Sequence, residues 1–266
     1  MTDMLYYTYE GNFLMECDAE ITQCVFLDET SENNDKKTVQ LALNRTVLHA
    51  QGGGQPTDVG TIETPHTTIQ VTKILLDRQT KVATHTGIVD ANATISVGDK
   101  VKVLVDKENR LILSECHTAG HVVDAAMAKC GLLPGMETSK AYHFLDGPFV
   151  EYKGNIPADE RGPILEKLKV AFQELLEEDI DTEIMVLTKQ EAQQRCDRIK
   201  ENYFNLDEFG DEPIRLVTVA GWTCPCGGTH TKSTGLLRER KWGITGLKYK
   251  KGIVKVKYNQ DWENSN

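Results

Sequence analysis

The sequence lacks several features that would assign it to a specialised class. No apolar run approaches the ~20 residues that cross a bilayer, and there is no internal repeat and no low-complexity segment. Excess positive charge is also missing: the formal net charge of the 266 residues is −10. Bulk electrostatics would therefore repel nucleic acid, and binding to a polyanion would need a local basic patch.

A disulfide framework is not indicated either. The seven cysteines are odd in number and scattered in spacing: Cys17, Cys24, Cys116, Cys130, Cys196, Cys224 and Cys226. This usage is typical of free thiols in a reducing compartment, so we expect a cytoplasmic protein without membrane association. Clustered cysteines are then better explained by metal ligation than by disulfides.

Short runs of β-branched and aromatic residues separated by turns fill roughly the first 105 residues, which indicates a small β-barrel or sandwich domain, 1–105. A Gly-rich segment, QGGGQPTDVG, interrupts these runs between Gln51 and Gly60. The clearest predicted strands are Ile21 to Leu27, Val39 to Leu48, Thr68 to Leu76 and Lys100 to Val105.

At Asp106 the pattern becomes helical, so a second domain, 106–266, is predicted with helices packed on an antiparallel sheet. The fold class is therefore α+β. Asp106 suits an N-cap and Gly131 a C′ position for the first helix. Further helices are predicted from Ala158 to Glu178 and from about Lys189 to Lys200. Predicted strands are Ala141 to Glu151, Glu183 to Leu187, Ile214 to Val219 and Lys248 to Tyr258.

Two short motifs predict one divalent-metal site. In HTAGH, His117 and His121 lie four residues apart, which places both imidazoles on one face of a helix. In CPCGGTH, two glycines allow a tight turn that brings Cys226 and His230 towards one ion. Three imidazoles and one thiolate are a typical tetrahedral zinc set. Either motif alone is weak, because partly buried histidines and Gly-rich hairpins are common.

Some alternatives stay open. Cys224 is a rival to Cys226 as a ligand, and four protein ligands fit a structural zinc as well as a catalytic one. Protease chemistry is disfavoured, because zinc proteases carry Glu directly after the first His and this chain has Thr118. The Thr118 hydroxyl by itself is compatible with a plain helix residue bonded to the preceding turn.

The order of these motifs resembles one family. HTAGH and CGGTH are similar to the two halves of the metal motif in alanyl-tRNA synthetase editing domains and in the free-standing AlaX-type editing proteins. The segment GGGQPTDVG resembles the signature of the small β-barrel that precedes that domain in the medium-length type. HFLDGPFVEYKG resembles the sheet segment after the metal helix, and the resemblance extends from about Tyr6 to Tyr258.

The resemblance implies a zinc-dependent hydrolase that deacylates mischarged tRNA for alanine, carrying serine or glycine. It implies that His117, His121, Cys226 and His230 hold one zinc per chain, that Thr118 recognises the serine hydroxyl, and that Gln55 faces the editing cleft. Two departures from the family pattern, Gln51 for an acid and Gly120 for a common Thr, affect fine specificity. A different class, a zinc-stabilised RNA- or protein-binding module without turnover, stays open. No nucleotide cofactor is expected.

The C-terminal segment supplies the basic patch that RNA binding requires. Between Lys232 and Lys257 there are nine cations and one acid, Glu239. We expect Lys241, Lys248, Lys250 and Lys251 to contact tRNA, with Trp242 and Tyr249 available to stack on bases at a single-stranded end. The alternative is an ordinary solvated strand face, in which lysines protect an edge strand from aggregation.

Overall fold

The structure, a computed structural model, describes residues 1–27, 35–133, 135–198, 210 and 212–260. Its helices and antiparallel sheets confirm the predicted α+β class. The chain packs as two compact units, Met1–Gly52 with Pro56–Ile112, and Gly53–Gln55 with the chain from Leu113 onward. The predicted domains, 1–105 and 106–266, stay a prediction. Within the described ranges, every helix is too short or too polar to cross a membrane.

The elements are numbered in chain order. The strands are β1 Asp3–Met4, β2 Glu16–Leu27, β3 Lys36–Leu43, β4 Arg45–Thr46, β5 Gly60–Glu63, β6 Thr68–Asp77, β7 Val82–Asp90, β8 Lys100–Val105, β9 Glu137–Tyr142, β10 Phe149–Lys153, β11 Glu183–Leu187, β12 Ile214–Val219, β13 Trp222–Pro225, β14 Gly243–Lys250 and β15 Ile253–Asn259. The helices are α1 Tyr9–Asn12, α2 Lys107–Lys129, α3 Arg161–Glu177, α4 Lys189–Arg198 and α5 Leu236–Glu239, with a 3-10 turn at Leu5–Tyr7.

The first unit is a closed barrel, which decides between the two predicted β architectures. Its strands follow the order β2-β3-β7-β6-β5-β8, and every neighbouring pair is antiparallel. Closure pairs both edges of the sheet, so neither is left exposed. Strand period 2 sends alternate side chains inward, and the core is built from β-branched and aliphatic residues such as Ile21, Leu41 and Val103.

Helix α2 begins where the sequence predicts. Asp106 Oδ1 accepts a hydrogen bond from the Asn109 backbone N–H at 3.0 Å, which is the N-cap contact. In the first turn Arg110 forms a buried ion pair with Asp58, and the two side chains are 1% and 0% exposed. At its C-terminal end Gly131 has φ +72°, the left-handed conformation expected of a C′ residue.

The second unit contains two antiparallel sheets, ordered β14-β15-β10-β9 and β11-β12-β13. Two strands predicted in this unit were wrong in length. The run Ala141 to Glu151 is divided by a loop into β9 and β10, and the run Lys248 to Tyr258 is a hairpin. The hairpin turns at Lys251 and Gly252, which have φ +49° and +79°. Lys200, the predicted end of the third helix, lies outside the described residues.

His85 provides a test of the barrel. Its ring is 1% exposed inside the first unit and contacts the Leu41 carbonyl and the Thr46 hydroxyl at 3.3 and 3.0 Å. Burial lowers the pKa of His85 from 6.5 to about 4, because desolvation disfavours the charged ring. The unfolded chain therefore binds a proton near pH 6.5, whereas the folded ring stays neutral until about pH 4.

We expect the free energy of unfolding of the wild type to fall between pH 6.5 and pH 4, with His85 contributing about 3 kcal/mol of that loss. His85→Gln, which keeps a polar group for Thr46, should have a flatter pH dependence in chemical denaturation. The control is His66→Gln, which changes an exposed turn residue. Parallel pH curves for wild type and His85→Gln would contradict the assignment.

Candidate metal centre

The two imidazoles of HTAGH lie one turn apart on the inner face of α2. The rings of His117 and His121 are 5.1 Å apart between centroids and nearly parallel at 24°. They are 1% and 5% exposed. Burial lowers the pKa of His121 to about 4, with a smaller contribution from the nearby Arg215 cation. The ring is therefore neutral at physiological pH, which is the form that binds a metal.

The CPCGGTH segment brings the other two donors to this helix face. Cys226 Sγ lies 3.4 Å from His117 Nε2 and 3.3 Å from His230 Nε2. One donor atom from each of His117, His121, Cys226 and His230 lies within 4.8 Å of the others. The four donors predicted from the sequence are thus brought together, and their arrangement can hold a metal ion.

Each of the three imidazoles has a side-chain partner at Nδ1. Gln55 Oε1 is 2.7 Å from His117 Nδ1, Cys224 Sγ is 3.4 Å from His121 Nδ1, and Thr118 Oγ1 is 3.3 Å from His230 Nδ1. A contact at one ring nitrogen decides which nitrogen is left for an ion. For His117 and His230 the other ring nitrogen is Nε2, the atom that faces Cys226.

Gln55 is held rigidly at this position. Its Oε1 also accepts from the Thr229 backbone N–H at 2.9 Å, and its Nε2 donates to Thr229 Oγ1 at 2.8 Å. Thr229 Oγ1 in turn contacts Ser114 Oγ of α2 at 2.8 Å. Gly228 is required beside them, because a Cβ there would overlap the His117 ring and lie 2.5 Å from Gln55 Oε1. Gln55 is 0% exposed, so it is a fixed acceptor for His117.

The Thr118 hydroxyl is fully occupied. It donates to the Ser114 carbonyl at 2.7 Å and accepts from the Thr231 N–H at 3.0 Å and from His230 Nδ1. A hydroxyl has one proton to donate and two lone pairs, so this arrangement leaves no position for a substrate hydroxyl. The bond to the preceding turn, which the sequence left open as an alternative, is the one that the structure contains.

Cys224 and Arg215 complete the surroundings of the donors. Cys224 contacts His121 and does not belong to the four-donor group. Burial raises the pKa of the Cys226 thiol, whereas the Arg215 guanidinium beside it opposes that shift. Arg215 is 5% exposed and donates to the Cys226 carbonyl. A buried cation next to a thiol favours the thiolate, which is the ligating form.

His143 is a fourth buried imidazole at this site, and the sequence did not single it out as a site residue. It follows β9, is 3% exposed, and stacks on His117 with centroids 4.1 Å apart at 23°. Its Nδ1 is 2.5 Å from the Tyr258 hydroxyl. The sequence feature that could have indicated His143 is Gly120, where the family pattern commonly has Thr. A Cβ at Gly120 would overlap the His143 ring and lie 2.8 Å from Tyr258 Oη.

The predicted basic residues lie on the surface. Lys248 and Lys250 are exposed on β14, Lys251 is exposed in the hairpin turn, and Lys241 is exposed in the connection between α5 and β14.

The two aromatic side chains predicted to stack on bases are differently placed. The prediction for Trp242 was wrong, because its ring is 0% exposed and Nε1 donates to Glu115 at 3.0 Å. Tyr249 is half-buried, with the Arg161 guanidinium 4.3 Å from its ring centroid.

Comparison with known proteins shows first which class of protein this chain resembles. Residues 1–109 match the family of class II (A) tRNA synthetases. The alanine–tRNA ligase of Thermotoga maritima is 28% identical over 235 residues, which are 85% of this chain. The chain spans only about a quarter of that ligase's length, 25%.

Two shorter proteins are similar to a larger share of this chain. The alanyl-tRNA editing protein AlaX-L of Pyrococcus horikoshii is 26% identical, over 88% of this chain and 52% of its own length. The alanyl-tRNA editing protein AlaX-M of Methanosarcina acetivorans is 26% identical over 264 residues, 98% of this chain and 97% of its own. The chain is therefore similar to AlaX-type editing proteins, as its motifs indicated, and one of them matches it along nearly its whole length.

Gln55 provides a test of the donor geometry. Gln55→Met removes the acceptor at His117 Nδ1 and keeps a side chain of similar length. We expect the affinity for Co²⁺ or Zn²⁺, measured by competition with a chelator, to fall about 10- to 100-fold. The matched control is Gln51→Met, in the same Gly-rich segment but exposed. Equal affinities for the two variants would show that Gln55 does not orient the ligand.

Proposed function

We propose that this chain is a trans-editing hydrolase that deacylates mischarged tRNA for alanine, with Ser-tRNA(Ala) as the main substrate and Gly-tRNA(Ala) as the second. The observation that carries the proposal is the buried group of three imidazoles and one thiol, in a chain that an alanyl-tRNA editing protein matches over 98% of its length. Partner, substrate and reaction are all part of the proposal.

We propose zinc as the ion. Bond lengths of about 2.0–2.1 Å to nitrogen and 2.3 Å to sulfur in a tetrahedron place neighbouring N and S donors about 3.5 Å apart. The Cys226 sulfur lies 3.4 and 3.3 Å from the Nε2 atoms of His117 and His230, so these two pairs fit zinc, and His121 lies within 4.8 Å of the other donors. A zinc ion held there supplies Lewis-acid chemistry towards a water or an ester carbonyl.

The chain's own residues would prepare the site for that chemistry. Gln55 and Thr118 hold His117 and His230 with Nδ1 protonated and Nε2 turned inward, and we assign both as positioning residues. The Arg215 charge favours the Cys226 thiolate. Burial keeps His121 neutral and excludes bulk water, which strengthens each electrostatic interaction in the site. An aminoacyl ester is already reactive, so orientation and modest polarisation are sufficient.

We propose that the outward face of the β14-β15-β10-β9 sheet receives the tRNA. Lys248 and Lys250 alternate with half-buried positions on β14, and Lys248 lies opposite Lys255 on β15. Aromatic rings on the same side of the unit form a row: Tyr142 stacks on Phe144 at 4.5 Å and on Phe149 at 5.3 Å. A positive strand face beside aromatic rings suits a polyanion with unstacked bases, although the whole chain has a net charge of −10.

Loss of the thiol should abolish editing. We expect Cys226→Ala, or removal of metal by a chelator, to reduce hydrolysis of Ser-tRNA(Ala) at least ~100-fold, because a missing ligand leaves the site open and the ion weakly held. The measurement is release of labelled serine from purified mischarged tRNA. Wild-type protein should leave Ala-tRNA(Ala) largely intact.

Cys130→Ala is the matched control, because Cys130 is a partly buried thiol outside the four-donor group. Wild-type protein that binds RNA without hydrolysing Ser-tRNA(Ala), and that loses only thermal stability on metal removal, would instead support the alternative of a zinc-stabilised binding module.

Charge reversal on the sheet face should weaken binding to RNA. We expect Lys248→Glu/Lys250→Glu to lower the affinity for tRNA(Ala) and to reduce the slope of log K against log salt by about two, because two phosphate contacts are lost. The control Lys73→Glu/Arg78→Glu makes the same change of net charge at exposed barrel positions. If both double variants lose affinity equally, the effect is one of overall charge and the proposed face is not the binding surface.

A further inference from the structure

The side chain that contacts the amino acid of the substrate is left unassigned once Thr118 is occupied. A site that prefers seryl to alanyl esters needs a polar atom for the serine hydroxyl, because a pocket that is indifferent to a hydroxyl discriminates poorly. That atom must lie beside the donor group and must not already be bonded within the protein. Among the buried polar side chains around the four donors, His143 meets both conditions.

Packing fixes the His143 ring on most of its edges. One face lies on His117, and Nδ1 contacts the Tyr258 hydroxyl. The Cε1 and Nδ1 edge lies over Gly120, and Cδ2 lies 3.1 Å from where a Cβ of Gly54 would be. The backbone is fixed as well, because the His143 N–H donates to the Gly54 carbonyl at 2.9 Å. The ring therefore has one defined position beside the donors.

Nε2 is the remaining polar atom of this ring. No group of the described residues bonds it, whereas the Nδ1 atoms of His117, His121, His143 and His230 all have partners. Nε2 is also not fully buried. Within the described ranges, the fully buried side-chain nitrogens and oxygens that lack a hydrogen-bond partner are Asn109 Oδ1, Thr182 Oγ1 and Arg195 Nε, and His143 Nε2 is not one of them. His143 as a whole is 3% exposed. A nearly buried nitrogen thus remains accessible beside the donor group.

We infer that His143 is the specificity-determining residue, whose Nε2 hydrogen-bonds the side-chain hydroxyl of a 2-amino-3-hydroxyacyl ester. The inference rests on the proposed function and names the group that reads the substrate. A hydroxyl both donates and accepts, so it pairs with Nε2 in either tautomer of the ring. An alanyl ester would place a methyl group there and leave the nitrogen unpaired, which should weaken its binding about tenfold relative to the seryl ester.

Gly120 is part of the same arrangement of residues. Its missing side chain provides the space for His143 and for the Tyr258 hydroxyl. A threonine at this position, as the family pattern commonly has, would exclude the ring from where it stands. The departure from the family pattern and the presence of the imidazole are therefore two parts of one arrangement.

The test measures binding and does not depend on turnover. The probes are 3′-amino-3′-deoxyadenosine carrying serine or alanine through an uncleavable amide, titrated into zinc-loaded full-length protein. We expect wild type to bind the seryl probe about tenfold or more tighter than the alanyl probe. His143→Asn keeps an amide at the Nδ1 position for Tyr258 and loses Nε2, so its ratio should fall to near one. His143→Gln places an amide near Nε2 and should recover part of the ratio.

Affinity for Co²⁺ and the visible spectrum of the bound ion should stay unchanged in both variants, because His143 is outside the donor group. Gly120→Ala, which displaces the ring without removing it, should lower the ratio as His143→Asn does. An unchanged ratio in His143→Asn, or equal loss of both probes together with weakened Co²⁺ binding, would overturn the inference and leave His143 as packing for His117. Wild type that discriminates between the probes but hydrolyses no Ser-tRNA(Ala) would refute the proposed function alone.

Discussion

An imidazole can bind an ion through either of its two nitrogens. In this chain, side-chain contacts at Nδ1 leave Nε2 of His117 and His230 facing the Cys226 sulfur. Gln55, Cys224 and Thr118 each approach one ring of the donor group. None of the three belongs to the four-donor group, yet without them the rings could rotate or change tautomer and the four donors would lose their common centre. The tight turn at Gly228 and the bond between Thr229 and Ser114 both help to hold Gln55 in place.

The donors themselves could be predicted because each pair is encoded locally. Helical spacing aligns His117 with His121, and a short glycine turn links Cys226 to His230. Strands with a clear periodic pattern were also found with the right ends, such as Lys100–Val105, Glu183–Leu187 and Ile214–Val219. In these segments one local rule is sufficient, and tertiary structure does not override it.

Other features depend on contacts distant in sequence and could not be predicted in this way. His143 and Arg215 join the site from a loop and a strand whose sequences carry no ligand motif. The Lys248 to Tyr258 run contains a turn that its sequence does not indicate, because Lys251 adopts a positive φ that is uncommon for lysine. Trp242 looked available for stacking, but the long-range bond to Glu115 holds it in the core. Composition can identify a basic or aromatic segment, whereas burial decides which of its side chains meet a partner.

The tripeptide Gly53–Gln55 packs with the second unit, although the residues on both sides of it in sequence belong to the first. A piece of this chain starting at residue 106 would contain every donor atom and would still lack the amide that orients one of them. The candidate metal centre is therefore not contiguous in sequence, and a version of this fold without the barrel would have to recruit another acceptor for the first histidine of the helix.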